Sequence, residues 1–233
     1  MQGYKNRAPK SCSAASPMFT LQAFFQLALA ATGIAGAPNF VQLPTGRYIG
    51  LYDRQADARV YYNIPYGTAR RFEAPQPLDD SGSSNALVNA STHGPACINF
   101  NIPPPFDEGF ALLLGETPIE PQVEDCLSMD VYVPDGYFRQ PLPVLVYIPG
   151  GGFLVGASFG YDLRPLLERG VRLGKPFIAV TFNYRLGPLG QLNPSTGVTD
   201  EINLALQDQR LALRYVQKHI QAFGGDPRKV SFA

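Results

Sequence analysis

The chain has 233 residues, enough for one domain with a sizeable core, and its basic and acidic side chains balance at 19 each. That balance, with no basic stripe, excludes the usual electrostatic footprint of a nucleic-acid-binding protein. A hydrophobic content of 45 % with 12 % aromatics excludes a disordered chain.

The first 37 residues read as a signal peptide. Lys5, Arg7 and Lys10 form a basic region, Leu21 to Ala31 is an apolar run broken only by Gln22 and Gln26, and Ala35-Gly36-Ala37 is a small-x-small cleavage site. The run falls short of the about 20 apolar residues that a membrane span needs, so no membrane span is expected. A short amphipathic helix is the competing reading. Met18 is an alternative start, which would leave little basic character ahead of the apolar run. Cleavage would remove Cys12 and leave Cys97 and Cys126, an even pair of the kind a secreted protein carries. Asn89-Ala90-Ser91 is a glycosylation sequon, so Asn89 is expected at the surface.

Residues 38–233 read as a single domain without repeat or linker. Arg47 to Asp53 and Ala58 to Tyr62 predict two short strands in an antiparallel hairpin at a sheet edge. Pro65, Pro75 and Pro77 then oppose regular structure, and Gly94 to Thr117, with its Pro103-Pro104-Pro105 run, predicts an extended surface excursion. Ser128 to Val133 predicts a strand of alternating type and Val144 to Ile148 one buried on both faces. A helix over Leu163 to Leu173 and a buried strand over Phe177 to Phe182 follow; that strand–helix–strand order predicts parallel neighbours and a doubly wound α/β sheet. The longest helix is expected over Leu204 to Phe223. Ala212, Tyr215, Val216, Ile220 and Phe223 form its apolar stripe, Thr199 or Asp200 its cap, and Gly224 its stop. The last strand is Val230 to Ala233.

The chemistry concentrates after Ile148. There the chain runs into Pro149-Gly150-Gly151-Gly152-Phe153, and a glycine triplet at a strand end bares amide groups to a ligand. Two such donors aimed at one point hold an oxyanion. Gly156-Ala157-Ser158-Phe159-Gly160 matches the nucleophile-elbow pattern but falls inside a loop, with only His219 after it, so Ser158 is rejected as a nucleophile. His93 is expected to be solvated in its loop, and neither histidine has a metal-ligand partner at useful spacing.

The triplet sits among other motifs in a fixed order. Ile64-Pro65-Tyr66 with Arg71-Phe72 and Pro75 comes first, then Glu124-Asp125-Cys126-Leu127 running on to Pro134. Asn183-Tyr184-Arg185-Leu186-Gly187-Pro188 and Asn203 to Val216 follow, the latter continuing to Phe223-Gly224-Gly225-Asp226-Pro227. Together they resemble the type-B carboxylesterase/cholinesterase family of α/β-hydrolases over roughly Gly46 to Ala233. The resemblance implies the N-terminal portion of that fold: a mixed, mostly parallel sheet with an N-terminal antiparallel hairpin, incomplete at its C-terminus. It implies a serine esterase acting on small-molecule carboxylic esters, secreted, without cofactor or metal.

The resemblance also assigns residues. Gly151 and Gly152 become oxyanion donors, and Phe153, Phe100 and Phe106 candidates for the wall of the active-site gorge. Cys97 and Cys126 become a disulfide, and Arg71–Glu124 and Arg185–Asp226 salt bridges. Asp208 and Gln209 are expected to bond backbone where the long helix meets the sheet. The family's nucleophile lies in Gly-Glu-Ser-Ala-Gly after the strand that here reads Val230-Ser231-Phe232-Ala233, and its acid and histidine lie later still. The 233 residues are therefore expected to carry the oxyanion half of the machinery and to be inactive alone. A non-catalytic, adhesion-type member of the superfamily is the alternative. Pro149, where the family often has His or Tyr, is a departure that leaves the donors in place and changes how the strand end is braced.

Overall fold

The computed structural model describes residues 40–100, 121–136, 138–192, 195 and 197–233. Residues 1–39, the expected signal peptide among them, together with Phe106 and most of the Pro/Gly-rich excursion, lie outside them. An eight-stranded mixed sheet forms the centre. Its strands are β1 (Phe40–Leu43), β2 (Gly46–Asp53), β3 (Ala58–Pro65), β6 (Leu87–Ala90), β9 (Ser128–Pro134), β10 (Leu142–Tyr147), β11 (Ile178–Phe182) and β12 (Gly225–Phe232). Two-residue ladders pair β4 (Gly67–Thr68) with β5 (Gln76–Pro77) and β7 (Ala96–Cys97) with β8 (Gln122–Val123). The main order is β1-β2-β3-β9-β11-β10-β12, with β6 beside β2.

Antiparallel pairing runs from β1 to β11, and parallel pairing along that path is confined to β11-β10-β12. The predicted hairpin is β2–β3, but β1 and β6 both add to β2, so it lies one strand in from the edge. The strand over Ser128–Pro134 is buried at every position instead of alternating. It sits between β3 and β11 with side chains packed on both faces, which removes the solvent face that alternation serves.

Helices cover both faces. Helix α1 (Arg164–Arg172) starts with a proline in its first turn and lays Leu167, with Leu163 just before it, on Ala58, Val60, Tyr132 and Ala179. On the other face the main cluster includes Val144, Val146, Val180 and Phe182. Helix α2 (Gly187–Gly190) is a single turn, and α3 (Leu204–His219) adds Ala212, Tyr215 and Val216 to that cluster. A 3₁₀ turn over Ile220–Phe223 extends α3 to the predicted stop at Gly224, so the whole expected stripe is buried. The start differs from expectation. Asn203 holds the cap position in left-handed backbone (φ 54°), while Thr199 accepts from the Glu201 amide and donates to Phe72 O at 2.9 Å. The threonine thus fastens the approach to the helix rather than its first turn.

Cys97 and Cys126 form a disulfide, both half-cystines being buried. It closes a loop of 29 residues' separation, which in the chain-entropy model stabilises by about 3–4 kcal/mol. A Cys97→Ser/Cys126→Ser variant is expected to lose about that much in a urea melt, with a matching loss on reduction of the wild type.

Candidate active site

The glycine triplet leaves the C-terminal end of β10, the position where open α/β sheets bind ligands. The strand end is pinned on its neighbour. Ile148 N donates to Ala233 O at 2.9 Å and Ala233 N to Val146 O at 3.0 Å, so the end of β12 lies against the segment that enters the loop. Gly151 has φ 137°, and Gly152 and Phe153 both stand at φ 62°, so three successive residues have positive φ. The Gly151 carbonyl accepts from Leu154 N (3.0 Å) and Val155 N (3.2 Å), closing the turn on itself. Among the described residues the Gly151 and Gly152 amides have no hydrogen-bond acceptor. Gly152 is exposed and Gly151 partly so.

Four clamps fix this loop. Tyr184 donates its hydroxyl to Pro149 O at 2.7 Å, and burial pushes that phenol up to about 12, so it stays a donor. This is the brace at Pro149, and Phe153 packs edge-on against the same tyrosine at 6.0 Å. The second clamp is a pair of backbone bonds: Gly187 N donates to Phe153 O (2.7 Å), and Phe100 N to Leu154 O (2.8 Å). Asn99 grips Gly156 on both sides, accepting from its amide at 2.6 Å and donating to its carbonyl at 3.3 Å. The fourth clamp is Ser158, whose amide donates to Asn183 Oδ1 (2.7 Å) and whose hydroxyl donates to Asp130 Oδ2 (2.9 Å).

Asp130 is the residue the sequence reading missed. It projects from the middle of β9, is 1 % exposed, and also accepts from Asn63 N at 3.0 Å and lies 3.0 Å from His93 Nδ1. His93 is thus not simply solvated: it pairs with this carboxylate and packs on Tyr62 at 3.8 Å. The signal was present, because an aspartate inside Leu127-Ser128-Met129-Asp130-Val131 cannot be buried without partners. The serine–carboxylate–imidazole chain has the carboxylate in the middle, and among the described residues no serine hydroxyl meets an imidazole. Ser158 opens a short 3₁₀ turn, not a strand-to-helix elbow. Ser158→Ala is expected to lose about 1–3 kcal/mol from the broken buried bond. A fluorophosphonate probe should still label the whole protein, because Ser158 is not the residue that reacts, as read by gel fluorescence beside a denaturation curve.

Phe100, Gly152, Phe153 and Leu154 line one side of an open cleft of about 660 Å³, faced by Pro188, Leu192 and Leu206. Arg71 and Glu124 form a two-contact ion pair near the disulfide. Asn89 is exposed on β6. Arg185 does not pair with Asp226. It pairs with Asp208, while Asp226 is held by Arg228 and Lys229. The reason is topological. Arg185 follows the C-terminal end of β11, whereas Asp226 opens β12 at its N-terminal end, beside Leu142, and these strands run parallel. Asp208 on α3 also accepts from the Arg185 backbone amide at 3.0 Å. Among the described residues no group of acidic, histidine and cysteine side chains could hold a metal ion.

A mixed sheet with helices on both faces and a clamped glycine loop at the carboxyl end of a central parallel strand defines an α/β-hydrolase-type protein. A model of the carboxylesterase family matches residues 37–233, and the chain belongs to that family. It is 35 % identical over 176 residues to the inactive carboxylesterase-like protein VdtD of Byssochlamys spectabilis, covering 74 % of this chain and 29 % of that protein. Secreted lipase 1 of Botryotinia fuckeliana is 34 % identical over 212 residues, 84 % of this chain and 36 % of the lipase. The crystal structure of Aspergillus niger EstA superposes with a TM-score of 0.66 at 29 % identity, over 84 % of this chain and 35 % of EstA. The chain spans roughly a third of the length of these relatives.

Proposed function

We propose that this chain supplies the oxyanion-holding part of an exported carboxylic-ester hydrolase, with the Gly151 and Gly152 amides as donors. When a nucleophile adds to an ester carbonyl, the carbonyl π electrons move onto oxygen, and that oxygen needs donors already in place. The observation that carries the reading is the pair of uncommitted amides in a loop clamped from four directions. Preorganisation of this kind lets the donors act without reorienting as charge develops. The apolar cleft beside Phe100 and Phe153 suits the body of a small ester. Ala233 O on Ile148 N puts the end of β12 three residues from Gly151, so any continuation of that strand would emerge beside the cradle. Among the described residues no serine hydroxyl has the geometry of an activated nucleophile, and turnover is proposed for the whole protein, this chain spanning roughly a third of the length of its relatives.

Export rests on the leader-like residues 1–37 and on the Cys97–Cys126 bridge, which an oxidising compartment preserves. No helix among the described residues is long and apolar enough to cross a membrane. The experiment is hydrolysis of p-nitrophenyl butyrate by the full gene product, with binding of an alkyl trifluoromethyl ketone compared with its methyl analogue. Hydrolysis, with the fluorinated ketone bound at least a hundredfold tighter, is the expected result. No hydrolysis and equal binding of the two ketones would overturn it. That outcome would favour a non-catalytic binding protein, a reading whose support is the relative named as inactive.

A further inference from the structure

A second cavity lies away from the glycine loop, between α3 and the N-terminal segments. It encloses about 330 Å³, within the range of small-molecule sites. Pro44, Pro75, Pro77, Leu78 and Leu211 give it apolar walls. Its rim is cationic: Arg210, Arg214 and Lys218 follow one another at four-residue spacing, so one exposed face of α3 carries all three. Lys218 is engaged by Asp80, which also stands 3.7 Å from His219 Nε2. Burial, ahead of the neighbouring Lys218, lowers the His219 pKa, so the imidazole adds no charge at neutral pH. Arg210 and Arg214 have no carboxylate partner among the described residues, which leaves the rim positive after Asp80 is counted.

The cavity wall also includes Tyr215. Its ring is part of the core, 9 % exposed, yet its hydroxyl is fully buried and has no hydrogen-bond partner among the described residues. Burial raises the phenol pKa, so the group is a proton donor. Two uncommitted guanidinium groups on the rim of an apolar chamber describe the complement of an amphipathic carboxylate.

We propose that this cavity is a binding site for a small monocarboxylate with an apolar body, such as a medium-chain fatty acid, its carboxylate held at Arg210 and Arg214 and its chain lying on the proline–leucine wall beside Tyr215. The site is independent of ester hydrolysis. It shares no lining residue with the cleft at Phe153, so the ester reading and this one stand or fall separately.

The test is isothermal titration of the full gene product with decanoate and with decanol, no ester being present. Decanoate should bind, and decanol at least tenfold more weakly. Arg210→Gln/Arg214→Gln should weaken decanoate at least tenfold and bring acid and alcohol together. Tyr215→Phe should bind decanoate within about twofold of the wild type without lowering Tm, since the hydroxyl it removes lies buried beneath the wall and is satisfied by nothing in the fold. Decanoate binding unchanged in the arginine double variant, or no binding at millimolar concentration, would overturn the proposal. Loss of binding in a variant that no longer melts cooperatively is resolved by Arg210→Gln alone, an exposed position where the fold has nothing to lose.

Discussion

Replacing Arg185 with methionine is expected to destabilise the protein by about 3–5 kcal/mol, the usual cost of stranding one member of a buried ion pair. Arg185 is 4 % exposed and Asp208 is fully buried. The guanidinium donates from Nε to Asp208 Oδ2 at 2.8 Å and from Nη2 to Oδ1 at 2.7 Å, a fork-on-fork geometry that a lysine cannot copy. Its Nη1 donates to Glu73 O at 2.8 Å and to Arg70 O at 3.3 Å. One side chain therefore ties α3, the segment after β11 and the Arg70–Glu73 turn together, and its loss leaves an uncompensated carboxylate. Burial pulls the Asp208 pKa up, and the arginine opposes that pull. Asp208→Asn should cost a comparable amount, because it leaves the arginine unpaired. The double variant Arg185→Met/Asp208→Leu should recover much of the loss, since it removes both charges from the interior. Urea denaturation of the three variants decides this. A single-variant loss below about 1 kcal/mol would show that the pair does not carry the junction.

Much of the fold could be read from residue pattern alone, and what could not has identifiable causes. Val144 to Ile148 and Phe177 to Phe182 are short β-branched runs, and the structure has parallel neighbours there. The apolar spacing in α3 was legible because a helix buries one stripe. The burial of β9 was not legible, because a strand's second neighbour is set by tertiary pairing and leaves no period of its own. The partner of Arg185 was hidden for the same kind of reason. Asp208 and Asp226 are both aspartates downstream of Arg185, and only the parallel course of β10, β11 and β12 separates the two ends of the sheet. Around the glycine loop, Gly151 and Gly152 could be picked out from the glycine triplet as candidate donors. The clamps could not, because Asn99, Asp130, Ser158 and Tyr184 come from four separate segments that converge only in the fold.

Gly151→Ala should lower kcat/KM of the full gene product at least a hundredfold while Gly152→Asn stays within about tenfold, although both positions have positive φ. A Cβ on Gly151 would stand 1.9 Å from the Val155 carbonyl oxygen, far inside contact distance. That obstacle is backbone and cannot swing away. The Gly151 carbonyl already accepts from Leu154 and Val155, so the turn must open to admit a methyl group, and both amides move. Losing even one oxyanion donor costs about 2.7–4 kcal/mol of transition-state stabilisation, or 10²–10³ in kcat. At Gly152 a Cβ would meet nothing within 4 Å, so the only obstacle is the left-handed backbone at φ 62°. Asparagine tolerates that conformation and keeps its amide. Both variants should melt within a few degrees of the wild type, because the turn lies at the cleft rim and outside the two hydrophobic clusters. The measurement is p-nitrophenyl butyrate kinetics beside a thermal melt for each variant. Equal losses at the two glycines would mean that chain conformation at the strand end, and not the placement of two amides, limits the reaction.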